Sequence, residues 1–273
     1  MPEHALVCLF GVINRSIRYT WDNINTNIVE HLKKNDVHVT VYVFNLICDN
    51  ELVDGVNVNN NDHKIIESKV YEWKLQSELD KEIKRYKETV PYKLSYVKWY
   101  TDNQIHNTMR QMYSEYRVGK FIQAQMKKYN YAIVCGPDYY VTKPINIQHL
   151  KESKNNNMVY ISHVNPGMNG YTNGYYMSSN LKDLSTMLCR YEHILPFLKD
   201  FKGDYEQLLK KYCDANNVQV ILTDQVFFKI RANKTIFWQG FNKKQKEDPH
   251  NKMMYENVMK QFNLEPQRKF ERR

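Results

Sequence analysis

The chain has 273 residues and a formal net charge of +9, from 39 Lys and Arg against 30 Asp and Glu. That length buries a sizeable core in one large α/β domain or two smaller ones, and the positive balance predicts attraction to anions: nucleic acid, acidic lipid or nucleotide phosphates. Cys8, Cys48, Cys135, Cys189 and Cys213 are dispersed, odd in number and form no Cys-x-x-Cys pair, which argues against a zinc site and for a reducing compartment.

The first apolar run, residues 5–10, is too short for a secretory leader and lacks a basic start. No stretch approaches the roughly 20 apolar residues of a membrane span. A soluble, cytoplasmic protein is expected. Acidic residues are interleaved almost everywhere, although 243–246 and 267–273 are locally basic. Most of the charge therefore reads as a solvated surface with one or two cationic pockets.

In chain order, residues 4–10 read as a buried strand closed by Gly11. Ile17, Trp21, Ile24, Ile28 and Leu32 recur at three and four, which predicts a helix over 17–34. Residues 37–46 alternate as a second strand, so the opening is strand–helix–strand, the unit of parallel sheets. An Asn- and Asp-rich loop covers 49–62. Residues 67–86 read as a weakly amphipathic helix, with a strand over 69–75 as the competing reading. A short strand at 92–99, a long helix at 103–128 and a strand at 131–135 follow.

Beyond these, 158–162 and 174–177 read as strands, 181–198 as a helix split near Pro196, and 204–216 as another helix. A strand is predicted at 218–222, and Thr223 reads as the cap of a helix beginning at Asp224 and Gln225. A strand at 236–238 and a helix at 253–262 close the chain. No internal repeat is visible. The pattern predicts a single α/β domain over 1–273 with a mixed, mostly parallel sheet flanked by helices. A composition shift near residue 150 divides it into a nucleotide-binding half, about 1–150, and an acceptor half, about 151–273.

Several chemistries are excluded by their motifs. There is no Gly-x-x-x-x-Gly-Lys-Ser/Thr loop, no Gly-x-Gly-x-x-Gly after the first strand, no Gly-x-Ser-x-Gly elbow and no His-Glu-x-x-His pair. What remains is polar residues at predicted strand ends, where open α/β sheets bind ligands. The sharpest is Asp138 in Gly136-Pro137-Asp138-Tyr139, the first charge after an apolar run. It is either a metal or substrate ligand or simply part of a Gly-Pro-Asp turn.

Asn14, Arg15 and Arg18 follow the first strand, where an arginine fork grips a diphosphate or else is solvated. Arg110, Ser114 and Arg117 share one helix face, aimed at phosphates or a nucleobase, or carrying surface ion pairs. His163, Asn165, Asn173 and Gly174 flank later strands and suit hydrogen bonds to sugar hydroxyls, as does Gln225; structural turns explain the glycine equally well. Asp224 either complements a helix dipole or acts as general base toward an acceptor hydroxyl.

Taken in order, four segments resemble nucleotide-sugar-dependent glycosyltransferases of the GT-A fold, in a loosely defined group of polysaccharide and viral enzymes. They are Phe10-Gly11-Val-Ile-Asn-Arg15-Ser16, Arg110-Gln-Met-Tyr-Ser-Glu-Tyr-Arg117-Val118, Tyr129 to Asp138, and Asp224-Gln225-Val-Phe227-Phe228. The resemblance spans about residues 5–230, and the order of weak motifs carries it.

It implies a GT-A-like, Rossmann-type sheet and transfer of a sugar from a nucleotide diphosphate, uridine diphosphate favoured, to a glycan or other hydroxyl acceptor. Gly11, Asn14, Arg15, Arg18, Arg110, Ser114, Arg117 and Asp138 would bind the donor. His163, Asn165, Asn173, Gly174 and Gln225 would bind the acceptor, and Asp224 would take its proton in an inverting reaction. Asp138 would stand for an aspartate of the Asp-x-Asp metal motif and hold Mn2+ or Mg2+, but Pro137 and Tyr140 replace the partner carboxylates. A C-terminal histidine adds a metal contact in that family, and His250 is the one histidine after His193. If the source is viral, the location is the host cytoplasm.

Two rivals stand beside this reading. An inactive transferase fold would bind nucleotide or glycan without turnover. A nucleic-acid-binding protein would use the positive charge and 21 tyrosines for phosphate contact and stacking, although no recognised module is present.

Overall fold

The computed structural model describes residues 2–49, 52–67, 70–89, 102–162, 164–165, 170–193, 205–239 and 241–266. β1 (Glu3–Gly11) leads through a 3-10 turn at Ile13–Arg15 into α1 (Ile17–Ile24). That helix widens into a π segment at Asn25–Val29 and ends as α2 (Glu30–Lys33). Its predicted stripe, Ile17, Trp21, Ile24, Ile28 and Leu32, is buried throughout. Then come β2 (Val37–Ile47), β3 (Val70–Leu75), α3 (Gln76–Thr89), α4 (Asp102–Gln125), β4 (Tyr131–Cys135) and β5 (Tyr139–Val141).

The second half runs α5 (Ile147–Asn156), β6 (Met158–Ser162), β7 (Val164–Asn165), β8 (Gly170–Tyr171), β9 (Tyr175–Ser178) and α6 (Leu181–Leu188). α7 (Tyr205–Ala215), β10 (Gln219–Thr223), β11 (Phe227–Ile230) and β12 (Thr235–Gln239) follow, before α8 (Lys243–Glu247), α9 (Pro249–Phe262) and β13 (Glu265–Pro266).

Seven strands form the main sheet in the order β10-β6-β9-β4-β1-β2-β3, and β9 alone runs antiparallel to its neighbours. This is the mixed, mostly parallel sheet expected. Its centre is buried on both faces because helices cover both. Along β1, Leu6, Cys8 and Phe10 pack with α3, α4, α6 and α7, whereas Ala5, Val7 and Leu9 pack with α1 and α5. All five cysteines are buried, and none is in a disulfide. A second sheet, β13-β12-β11-β5, carries its own apolar cluster around Phe228, Ile236 and Phe241.

Three expectations are corrected. Residues 70–75 are a strand rather than the start of a helix, because Tyr42 to Ile47 of β2 offer a parallel edge and the ladder satisfies the backbone groups that face it. The helix begins only at Gln76, where Asp49 accepts from the Ser77 amide at 3.0 Å. At Thr223 there is no helix. Its Oγ1 accepts from the Gln225 amide at 3.0 Å in a turn that passes directly from β10 to β11. A hydroxyl two residues before an amide makes the same local bond in a turn as at a helix cap. The helix from Leu181 ends at Leu188 and continues as a 3-10 turn over Cys189–His193. The strand expected at 92–99, like Pro196, lies outside the described residues.

Candidate functional site

A cavity of about 700 Å³ opens where β1, β2 and β4 reach their carboxyl ends. Phe10, Gly11 and Val12 reach it from β1, Leu46 and Cys48 from β2, and Gly136 to Tyr139 from β4. α4 adds Asn107, Thr108, Arg110, Gln111 and Ser114. Asn173 and Gly174 enter before β9, Tyr205 and Glu206 from the start of α7, and Lys229 and Arg231 from β11 and just beyond it.

β11 has a register that decides the chemistry. It pairs antiparallel with β5, Lys229 opposite Tyr139, and the Ile230 amide donates to the Asp138 carbonyl at 2.9 Å. Side chains alternate along a strand. Phe228 and Ile230 therefore fill the apolar cluster of the second sheet, and Lys229 and Arg231 face the cavity. Arg231 Nη1 donates to Asp138 Oδ2 at 2.9 Å. The Lys229 ammonium lies 4.7 Å from the centre of the Tyr139 ring.

From the other side, Arg15 reaches in at the exit of β1. Its Nε lies 3.3 Å from Asp54 Oδ2, yet it is buried without a hydrogen-bond partner among the described residues. Burial alone would raise the Asp138 carboxyl, but Lys229, Arg231 and Arg15 together hold it below the usual carboxylate value. Burial also lowers Lys229 to about 8, against the upward pull of Asp138, with Arg231 adding to the fall. Arg15 is lowered by burial and by Arg231.

Two glycines let the backbone close around Asp138. Gly174 has φ +92°, and a Cβ on it would stand 2.5 Å from the Tyr139 hydroxyl, which donates to the Asn173 carbonyl at 2.6 Å. A Cβ on Gly136 would stand 3.1 Å from Asp138 Oδ1.

Of the expected donor residues, Gly11, Arg15, Arg110, Ser114 and Asp138 line this one cavity. Arg110 is committed to Asp80, with Nε and Nη2 donating at 2.8 and 2.6 Å, and Ser114 Oγ donates to the Arg110 carbonyl. The remaining three lie elsewhere. Asn14 is buried and ties the loop before β3 to β1, accepting from the His63 amide at 3.0 Å. Arg18 faces Asp62 at 3.8 Å and Arg117 donates to Glu72 at 2.8 Å. The face shared by Arg110, Ser114 and Arg117 splits because α4 runs past both the cavity and β3.

Among the acceptor candidates, Asn173 and Gly174 line the cavity. Gln225 instead donates to the Lys143 carbonyl at 3.1 Å. Asn165 sits in the short β7, and His163 lies outside the described residues. Asp224 is not brought to the cavity. Its side chain is 68% exposed and accepts from Lys143, whose hydrogen bond holds the carboxyl below its usual value and weakens it as a base. His250 is exposed at the start of α9.

The surroundings of Asp138 do not suit a divalent ion. The hard oxygen donors that Mg2+ or Mn2+ require are represented there by a carboxylate already bonded to an arginine, with two further cations beside it. Asp54, the next carboxylate of the cavity, is held by Arg15 and by the Ala232 amide at 3.0 Å. Among the described residues no group of three metal-ligating side chains occurs.

Sequence reasoning missed Lys229, Arg231, Asp54 and Glu206. For the first two the signal is present in Phe227-Phe228-Lys229-Ile230-Arg231, where cations alternate with core residues. Asp54 and Glu206 carry no local signal.

Fold and site together define an α/β protein with a cavity at its strand ends where cations and carboxylates meet. No family model matches the chain, and no curated protein matches it. Among solved structures, the apo form of mouse xyloside xylosyltransferase 1 is similar over 96% of this chain and 94% of that one, at 10% identity and a TM-score of 0.42. A likeness of that degree assigns no chemistry to the site. No helix among the described residues is long and apolar enough to cross a membrane.

Proposed function

We propose that the chain is a glycosyltransferase that takes a nucleotide-diphosphate sugar as donor and a glycan or other hydroxyl as acceptor. The observation that carries this reading is convergence. Three segments far apart in sequence, Gly11 to Arg15, Arg110 to Ser114 and Gly136 to Asp138, meet in one strand-end cavity beside Lys229 and Arg231. A cavity of about 700 Å³ is of the size that takes a nucleotide-sized ligand. In this reading its cations offset the negative charge that a diphosphate gains as the glycosidic bond to the sugar breaks, and preorganised charge of that kind lowers the barrier.

The acceptor proton needs a different carboxylate from Asp224. Glu206 also lines the cavity, where it accepts from the Asn173 side-chain amide at 3.2 Å and is a charged neighbour of Lys229. Glu206 is the base in this reading. A thermal-shift panel of nucleoside diphosphates and their sugars tests it, followed by assay of slow donor hydrolysis. One nucleotide family should raise Tm progressively with concentration, and its sugar should be turned over. A flat panel refutes the reading. Binding without turnover refutes the enzyme and leaves a nucleotide-binding protein.

A further inference from the structure

We infer that Arg15, Lys229 and Arg231 take the place of a divalent cation and hold the donor's diphosphate directly, with Asp138 as the internal counterion that offsets their repulsion until an anion binds. This rests on the donor reading above and adds to it how the phosphates are bound.

The geometry gives each residue a distinct part. Arg231 is fixed by its bond to Asp138 at 2.9 Å and by its position above the Phe237 ring, 5.4 Å from the centroid. Lys229 is fixed by the β5–β11 ladder and by the Tyr139 ring beneath it. Arg15 enters from the exit of β1, its Nε 3.3 Å from Asp54 Oδ2 but outside hydrogen-bond geometry, so a phosphate oxygen can supply the aligned acceptor that Asp54 does not. Among the lining residues Arg15, Arg110, Lys229 and Arg231 stand against Asp54, Asp138 and Glu206, four cations to three carboxylates, so the cavity carries a small excess of positive charge. A bound diphosphate removes that excess, and a divalent ion would increase it. Arginine forks and a lysine point charge are also the usual protein groups for phosphate.

The test uses the full chain, freed of metal on a chelating resin. Inorganic pyrophosphate is titrated calorimetrically in excess EDTA, and uridine diphosphate is titrated in EDTA and again in Mn2+. Pyrophosphate should bind in EDTA, and manganese should change the nucleotide Kd by less than about threefold. Lys229→Met should weaken both by about tenfold or more. Asp138→Asn should bind pyrophosphate as tightly as the natural protein or more tightly, because the competing carboxylate is gone, while its unliganded Tm falls.

Binding that disappears in EDTA and returns with manganese overturns the inference, as does loss of binding in a folded Asp138→Asn protein. If that variant fails to fold, Lys229→Met decides on its own. Pyrophosphate binding without any nucleotide binding would end the donor reading and leave the cation cradle standing. Nucleotide binding that requires manganese would do the reverse.

Discussion

The ammonium of Lys229 lies over the Tyr139 ring, with Asp138, Arg231, Glu206 and Arg15 as its charged neighbours. Its folded value of about 8 lies below the ordinary lysine value. Between those two pH values the folded protein has released a proton that the unfolded chain retains, so this group makes stability rise with pH across that window. A bound anion draws the proton back. Affinity for uridine diphosphate should therefore fall as pH rises through about 8, and titrations in two buffers of different ionisation enthalpy should show proton uptake on binding. At Glu206, substitution to Gln should reduce turnover by roughly 10²–10⁴-fold, the range for a general base, and leave donor affinity nearly unchanged by calorimetry. Gly174→Ala places a Cβ 2.5 Å from the Tyr139 hydroxyl at φ +92°. It should cost about 1–3 kcal/mol in urea denaturation.

Elements position these residues through pairing and close packing. β11 brings Lys229 and Arg231 to Asp138 by its register with β5. α4 approaches the end of α6 and the turn after it closely at Gly119, where a Cβ would stand 3.0 Å from Leu188 Cβ and 2.8 Å from Cys189 Sγ. Beside that contact lies a fully buried pair, Glu115 with Arg190, in which Tyr205 and Tyr176 also bond to Glu115. Through Tyr205 and Gln111, which donates to both Glu115 and Asn173, the pair braces the cavity wall. Glu115→Ala leaves a buried guanidinium uncompensated and should cost about 3–5 kcal/mol, read as a lower denaturant midpoint. Most elements were legible because their apolar residues keep one period. The 131–135 strand reads correctly from Tyr-Ala-Ile-Val-Cys, and the 17–34 helix from its stripe. Val70–Leu75 was ambiguous because a solvent-facing edge strand carries Glu72, Trp73 and Lys74, which do not mark one buried face.

At the scale of the whole molecule, a doubly covered, mostly parallel sheet leaves its carboxyl edge as the place for a ligand, and Arg15, Lys229 and Arg231 stand there. Binding of the donor should be weakened by salt, because screening acts on the attraction between the cavity and the phosphates. At about 100 times its Kd the nucleotide should stabilise the fold by about 2.7 kcal/mol. A Tm that is indifferent to nucleotide at that concentration would contradict the site. The chain alone determined the alternation of apolar runs that builds the sheet, and the strand-end positions of Arg15 and Asp138, because periodicity and turn chemistry are local. Only the tertiary structure decided that Lys229 and Arg231 stand beside Asp138, that Asp224 faces solvent with Lys143, and that Glu206 enters the cavity. Those juxtapositions come from strand register and helix docking between residues far apart in sequence, 93 positions for Arg231 and Asp138, and no local pattern encodes such contacts.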